Sequence, residues 1–355
     1  MEKTASGDDE RMEDMKKFAA ILAALLLLTT ASACAEGEFR TAQAMGPFSE
    51  GYAAFQNEQG LWGYIDRTGN VVVDPAWALA DPFIEGIARV GTADHHYGYI
   101  DMTGAVIFQP VSTAATDFHD GLATVQVDGA YGFIASDGSY AYEKRWTNAG
   151  YFSEGLAYAA DGGAVGFIDK SGNMVIGPQW ERAYGFSEGR AAVRSGKVWG
   201  FIDAQGSVIV APQYEYGAFY SEGLAAVNLN GLYGYIDAQG ETALPFAYEV
   251  AAGFVNGRAW VKQDGLYRLI DKSGNELSDE YWDNVFSEFN RAAYSRVMRN
   301  GLWGYADENG AIALQPVYEK ATRFNDGLAA VQKDGTWYLI DEHGVDVLSG
   351  EDTQA

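Results

Sequence analysis

Cysteine is nearly absent: Cys34 is the single one among 355 residues, so no internal disulfide can form and the fold must be held by packing alone. Proline is scarce, with 8 residues, and 24 basic side chains face 49 acidic ones, for a formal charge of −25. A surface that acidic repels nucleic acid and bare anionic lipid. Its simplest role is to keep a glycine- and aromatic-rich chain in solution. The four histidines, His95, His96, His119 and His343, lack the His-x-x-x-His spacing that would hold zinc on one helix face. The chain contains no Gly-x-Ser-x-Gly elbow, no phosphate-cradling Gly-rich loop and no Asp-x-Asp-x-Asp-Gly calcium loop. These absences predict a protein that is not an enzyme, with no cofactor and no metal.

What the sequence has in quantity is 43 Gly, 22 Tyr, 18 Phe and 9 Trp, a composition suited to many short strands joined by tight turns. The amino terminus predicts a location. Residues 1–14 are acidic and polar, and translation is expected to start at Met15. Met15-Lys16-Lys17 then forms a basic n-region, Phe18 to Leu28 an apolar run and Thr29 to Ala35 a small, cleavable stretch. Residues 15–35 therefore read as a signal peptide, its apolar run too short to span a membrane comfortably. Ala31-Ser32-Ala33-Cys34 resembles a bacterial lipoprotein box, with Ala31 where a larger aliphatic residue is usual. Ordinary cleavage after Ala33 or Ala35 fits equally well. The mature chain is thus expected outside the cell or on its surface, touching membrane only through the signal peptide or a lipid on Cys34.

Beyond a short linker at 36–45, one unit recurs. Asp66, Asp101, Asp169, Asp203, Asp237, Asp271, Asp307 and Asp341 mark the same point, with Ala135 in the third unit, at steps of 34 to 36 residues. Gly51, Gly86, Gly121, Gly155, Gly189, Gly223, Gly257 and Gly327 form a second comb, closing segments such as Phe186-Ser187-Glu188-Gly189. Within one unit, Leu224 to Val227 and Leu232 to Ile236 flank Asn230-Gly231, which predicts a β-hairpin. Asp237-Ala238-Gln239-Gly240 then predicts a second reversal, with the Asp side chain capping its own backbone. A third strand, clearest as Val71-Val72-Val73 or Val208-Ile209-Val210, ends at Pro75 or Pro212. Three short strands cannot bury a core alone, so neighbours must shelter each other.

Trp62-Gly63-Tyr64-Ile65-Asp66, Trp199-Gly200-Phe201-Ile202-Asp203 and Trp303-Gly304-Tyr305-Ala306-Asp307 resemble bacterial WG repeats, and variants such as Tyr97-Gly98-Tyr99-Ile100-Asp101 carry the match through the chain. The resemblance implies tandem β-rich modules in secreted or surface proteins. Tyr267-Arg268 and Trp337-Tyr338 lack the glycine, and the eighth unit carries Phe289-Asn290-Arg291 where a Ser-Glu-Gly turn is expected. The predicted architecture is all-β: nine three-stranded antiparallel repeats over residues 46–348, as an open curved solenoid rather than a closed propeller-like ring, with a C-terminal tail at 349–355.

A third comb closes the units: Trp77, Trp146, Trp180, Tyr214, Tyr248, Trp282 and Tyr318, the last five followed by Glu or Asp. Its first expectation is packing between units. The functional alternative is a ribbon of flat rings beside carboxylates, suited to stacking on sugars or holding a peptide side chain. The predicted function is a binding scaffold at the bacterial cell envelope for a glycan or protein. A spacer with no specific ligand is the other reading.

Overall fold

The computed structural model describes residues 38–286 and 294–355. The predicted signal peptide, Cys34 and Phe289-Asn290-Arg291 lie outside them. Apart from a short 3-10 turn at Glu38–Thr41, the regular structure is β: nine separate antiparallel sheets, six four-stranded and three three-stranded, each built from consecutive strands. The fifth sheet shows the pattern, with strands Arg182–Ser187, Arg190–Ser195, Val198–Asp203 and Val208–Tyr214.

The extra strand relative to the sequence reading is the first one. It is the Phe-Ser segment, which was expected only to lead into the glycine comb. A bulge between Ala183 and Phe186 breaks its alternation, and comparable first strands contain Pro47 or Gly217. No period-two pattern survives such an interruption. The turn that follows is of the two-residue type with both residues at positive φ, 52° at Glu188 and 72° at Gly189. The second turn is the predicted Asn-Gly pair, Asn230 at 54° and Gly231 at 79°.

The third turn is the aspartate comb, and its role is uniform. Asp203 Oδ1 accepts from the backbone N–H of Gln205 at 3.0 Å and of Ser207 at 2.8 Å. Asp66, Asp101, Asp169, Asp237, Asp271, Asp307 and Asp341 accept from the same two positions. The Thr103 hydroxyl and the two N–H donors hold the Asp101 carboxyl below the usual carboxylate range, and the Asn275 amide does the same for Asp271. Asp203→Ala is expected to lower stability by about 1 kcal/mol, read as a shift in the denaturation midpoint. An unchanged midpoint would remove the capping role.

The glycine of Trp-Gly has a different cause. The fourth strand bulges between the pairs Phe201↔Val210 and Trp199↔Tyr214, and the extra residues swing over Gly200. A Cβ there would lie 2.4 Å from Val210 O and 2.6 Å from Pro212 N. Gly63, Gly98, Gly166 and Gly304 meet equivalent backbone atoms. The rule holds in reverse. Where Arg268 and Tyr338 replace the glycine, the sheets have three strands, and only isolated bridges such as Ile270↔Glu276, Tyr267↔Trp282 and Ile340↔Asp346 mark the fourth. The third sheet keeps Gly132 but is also three-stranded; its fourth segment, Tyr140 to Trp146, has no proline.

Each sheet packs face to face on the next, and the cores lie between sheets. Phe167, Ile176 and Trp180 of the fourth blade meet Phe186, Val193 and Ile202 of the fifth. Those of the fifth, Phe201 and Val210, meet Tyr220 and Val227 of the sixth. There are nine such cores for nine sheets. The ninth joins the two ends of the chain: Phe39, Met45, Phe48 and Phe55 pack against Leu328, Ala330, Trp337 and Leu339. An open row of nine would have eight. The array is therefore a closed nine-bladed ring, a propeller, and the open solenoid expected from the sequence does not form. Closure buries on both end blades the apolar faces that an open array would leave to water, each large side chain contributing about 1.5–3 kcal/mol. In the fifth blade four strands of six or seven residues, joined by turns of two to four residues, run from Arg182 to Tyr214, within one repeat.

The segments expected as linker and tail belong to the ring. Phe39 is fully buried and the first strand already begins at Ala44. At the other end Thr353 is buried, its hydroxyl donating to Gly344 O at 2.6 Å and lying 2.8 Å from the Tyr318 hydroxyl.

Candidate interaction surface

First strands of the fifth and sixth blades contact each other, as the first strand of blade one contacts the second strand of blade nine, whereas fourth strands have no such contact with one another. First strands thus lie toward the axis and fourth strands at the rim. Two ends remain as surfaces, and strand direction divides the turns between them.

One end gathers the Glu-Gly turns and the aspartate turns. Seven of the eight comb glycines are preceded by an acid, a regularity visible in the sequence but not singled out there. An acidic residue at positive φ is unfavourable, and its use lies in the neighbour. Glu154 accepts from the backbone N–H of Glu188 at 2.7 Å and Gly189 at 2.9 Å, and Glu188 in turn accepts from Glu222 and Gly223. Paired N–H groups of this kind form a nest for a carboxylate. Glu50, Asp120 and Glu222 reach Gly86, Gly155 and Gly257 in the same way, and Asp326 reaches Gly51 at 2.9 Å. The last bond crosses the junction between blade nine and blade one.

The other end carries the hairpin turns and the aromatic comb. Trp146, Trp180, Tyr214, Tyr248, Trp282 and Tyr318 are buried, and Trp77 is half-buried. Their rings fill the cores between blades and offer no face, which corrects the stacking ribbon. The acids that follow them are also engaged: Glu181, Glu215, Glu249 and Glu319 accept from the N–H of Gly196, Gly231, Gly265 and Gly335, and Asp283 from Asn300. The predicted ladder is thus packing plus turn-capping.

A second set of rings clusters at the first strands of the fifth and sixth blades, with Tyr216 and Phe219 exposed, Tyr184 and Tyr233 half-buried and Trp199 buried. Tyr184 stacks on Trp199 at 4.7 Å with 4° between planes, and also meets Phe219 at 5.5 Å and Tyr216 at 6.4 Å. Tyr216 touches Tyr233 at 6.1 Å. Tyr216 and Phe219 are 38% and 39% exposed. Tyr158 borders Tyr131, Tyr151 and Tyr184 closely enough that burial first, then those phenols, raise its hydroxyl above the ordinary range. The Tyr151 ring lies 4.6 Å from that of His119, tilted by 35°. Rings from first, second and third strands thus gather in a belt from the third blade to the sixth, with Tyr184, Tyr216 and Phe219 on first strands. One signal for it is visible in the sequence, tyrosines clustered between residues 131 and 235, but the bulged first strands conceal which ones share a face.

Among the described residues no group of three or more His, Cys, Asp or Glu is placed to hold a metal, and no helix is long and apolar enough to cross a membrane. His95 sits in a hairpin turn at positive φ, and His96 Nδ1 lies 3.1 Å from Asp94.

No curated protein sequence matches the chain. Among solved structures it is similar to a eukaryotic initiation factor, with a TM-score of 0.56 at 12% identity over 83% of this chain and 94% of that one. It is also similar to the computationally designed Ika8 protein, at a TM-score of 0.47 and 15% identity over 86% and 98%, and to BamB from Moraxella catarrhalis, at 0.42 and 14% over 65% and 80%. At these identities the likeness to the initiation factor concerns the fold alone. The pattern of the WG containing repeat matches residues 62–92, 97–129, 166–198, 199–233, 233–267 and 303–337. These matches cover more than half of the sequence and begin at or beside the aromatic-Gly pair whose glycine lies under the bulged strand, so the chain belongs to the WG containing repeat family.

Proposed function

We propose that this protein is an exported, non-catalytic scaffold of the cell envelope that binds another protein on its ring. The observation that carries this reading is the exposed belt around Tyr184, Tyr216 and Phe219 on a ring whose other regular side-chain rows are spent internally. The aspartates cap turns, the Glu-Gly carboxylates tie blade to blade and the comb aromatics fill cores. An exposed aromatic cluster on a rigid repeat is the kind of surface that anchors a partner, because large rings supply contact area at small entropic expense. Burial of the third comb removes the support for sugar stacking there and favours a protein partner. Export is supported by the basic n-region, apolar run and small residues at 15–35.

The test is affinity capture from envelope extracts with the mature ring, residues 36–355, as bait. Specific enrichment of one or a few proteins, saturable and competed by free ring, is the expected outcome. Recovery of background alone would favour the spacer reading. Mass spectrometry of the mature amino terminus separates a lipid on Cys34 from ordinary cleavage.

A further inference from the structure

An asparagine followed by glycine is chemically exposed, because the glycine nitrogen can attack the asparagine side chain and glycine has no Cβ to hinder it. The chain holds four such pairs: Asn230-Gly231, Asn256-Gly257, Asn300-Gly301 and Asn309-Gly310. The attacking nitrogen must give up its proton as it closes on the side-chain carbonyl carbon. Whatever holds that N–H therefore governs the rate.

Three of the four are held. The Gly257 N–H is accepted by Glu222 at 2.8 Å, that of Gly310 by Asp307 O at 3.0 Å and that of Gly231 by Glu215 at 3.2 Å. A hydrogen bond fixes the nitrogen in place, and a carboxylate accepting it also opposes the negative charge left when the proton departs. Blade eight departs from this rule by one methylene. Where Glu181, Glu215, Glu249 and Glu319 reach the hairpin glycines of their own blades, blade eight carries Asp283, and the shorter side chain stops at the N–H of Asn300, at 2.7 Å. Among the described residues the Gly301 N–H has no acceptor.

Asn230 and Asn300 otherwise match. Each stands first in a two-residue hairpin turn, at φ of 54° and 55°, followed by glycine at 79° and 80° and then by leucine. All four turn residues are exposed. The acceptor of the glycine N–H is what separates them.

We infer that Asn300 is a site of spontaneous modification through attack by the Gly301 nitrogen, while Asn230 in the same kind of turn is protected. A bond forms between Gly301 N and Asn300 Cγ as the bond from Cγ to Nδ2 breaks. Nδ2 leaves as ammonia, carrying the proton that the Gly301 nitrogen loses. Water then opens the cyclic imide at either carbonyl, giving aspartate or isoaspartate at position 300. Both products add a carboxylate near Asp283, and isoaspartate also lengthens the turn that joins Ser295–Arg299 to Leu302–Ala306. The reaction needs only water and proceeds whatever partner the ring binds.

The test is incubation of the purified protein in warm, mildly alkaline buffer, with aspartate and isoaspartate at positions 230 and 300 followed by peptide mass spectrometry. Asn300 is expected to convert about tenfold faster than Asn230 in the folded ring, and the two rates should converge in guanidinium chloride. Asp283→Glu should slow Asn300 towards the rate of Asn230. Glu215→Asp should speed Asn230 in the same proportion. Near-ultraviolet circular dichroism and the melting temperature confirm that both swapped proteins keep their fold. Equal conversion of the two asparagines in folded wild type, rates unmoved by the swaps in folded protein, or a ratio that persists after unfolding would each overturn the assignment.

Discussion

Gly200→Ala is expected to destabilise the ring by about 3 kcal/mol. The alanine methyl would sit 2.4 Å from Val210 O and 2.6 Å from Pro212 N, and both are backbone atoms that cannot rotate away. Relief requires the bulged fourth strand to lift, which breaks the pairs of Trp199 with Tyr214 and Phe201 with Val210 and pulls Val210 and Tyr214 from the core between blades five and six. Gly177→Ala is the matched control. It is also in a fourth strand, has no positive φ, and its added Cβ meets nothing within 4 Å. It is expected to be neutral or slightly stabilising. Denaturant midpoints for the two variants test the argument; equal shifts would show that the Trp-Gly glycine is not kept for close approach.

Asp346→Ala is expected to destabilise by about 2–3 kcal/mol, because it takes the acceptor from two backbone N–H groups, the Ser349 hydroxyl and the half-buried Arg40 guanidinium. Asp346 is fully buried and accepts from Arg40 at 2.8 Å, from the Ser349 hydroxyl at 2.6 Å and from the Ser349 and Leu339 N–H groups at 3.1 Å. Arg40 belongs to the 3-10 turn that also seats Phe39, and it donates to Trp337 O at 3.3 Å. The pair therefore clasps the first blade to the last. No strand ladder crosses that junction, since every sheet is made of consecutive strands. Closure rests on the shared core and on side-chain bonds such as Trp337 to Ala42 O and Asn325 to Phe48 O.

The same pair gives the ring an acid-sensitive junction. Burial alone would raise the Asp346 carboxyl, but the Ser349 hydroxyl and the Arg40 guanidinium outweigh it and hold it below the usual carboxylate range. A carboxyl lowered in the folded state contributes stability above its unfolded value, near 3.9, and loses it as pH falls through the lower folded value. Wild type should therefore show an acid limb below about pH 4 that is shallower in Asp346→Asn. Identical acid limbs in the two proteins would place the pH dependence elsewhere.

Much of the fold was legible because its causes are local. Asp203 caps residues two and four positions ahead, and Asn230-Gly231 closes a hairpin of adjacent strands. The Ile65 and Ile202 positions are fully buried one residue before each capped turn. The first strand escaped notice because its bulge and its Gly or Pro residues erase alternation. The belt escaped with it: Tyr184 and Tyr216 look in the sequence like any other tyrosines, and only the bulged geometry turns them to one face. The comb aromatics are more regular, and packing between units, the first expectation for them, is what the burial of Trp146, Trp180 and Tyr318 shows: in a stacked array regularity marks the core, because every junction must be filled in the same way.

The sequence by itself determined the number of units, their turns, the place of the second, third and fourth strands and the need of each unit for a neighbour, since all of these follow from residues a few positions apart. Only the tertiary structure decided that the array closes, that four strands make a blade and that the open faces are those of Tyr216 and Phe219. Closure depends on a small rotation per blade summed over nine, and it is realised in contacts such as Gly51 with Asp326, 275 residues apart. No local pattern records that sum.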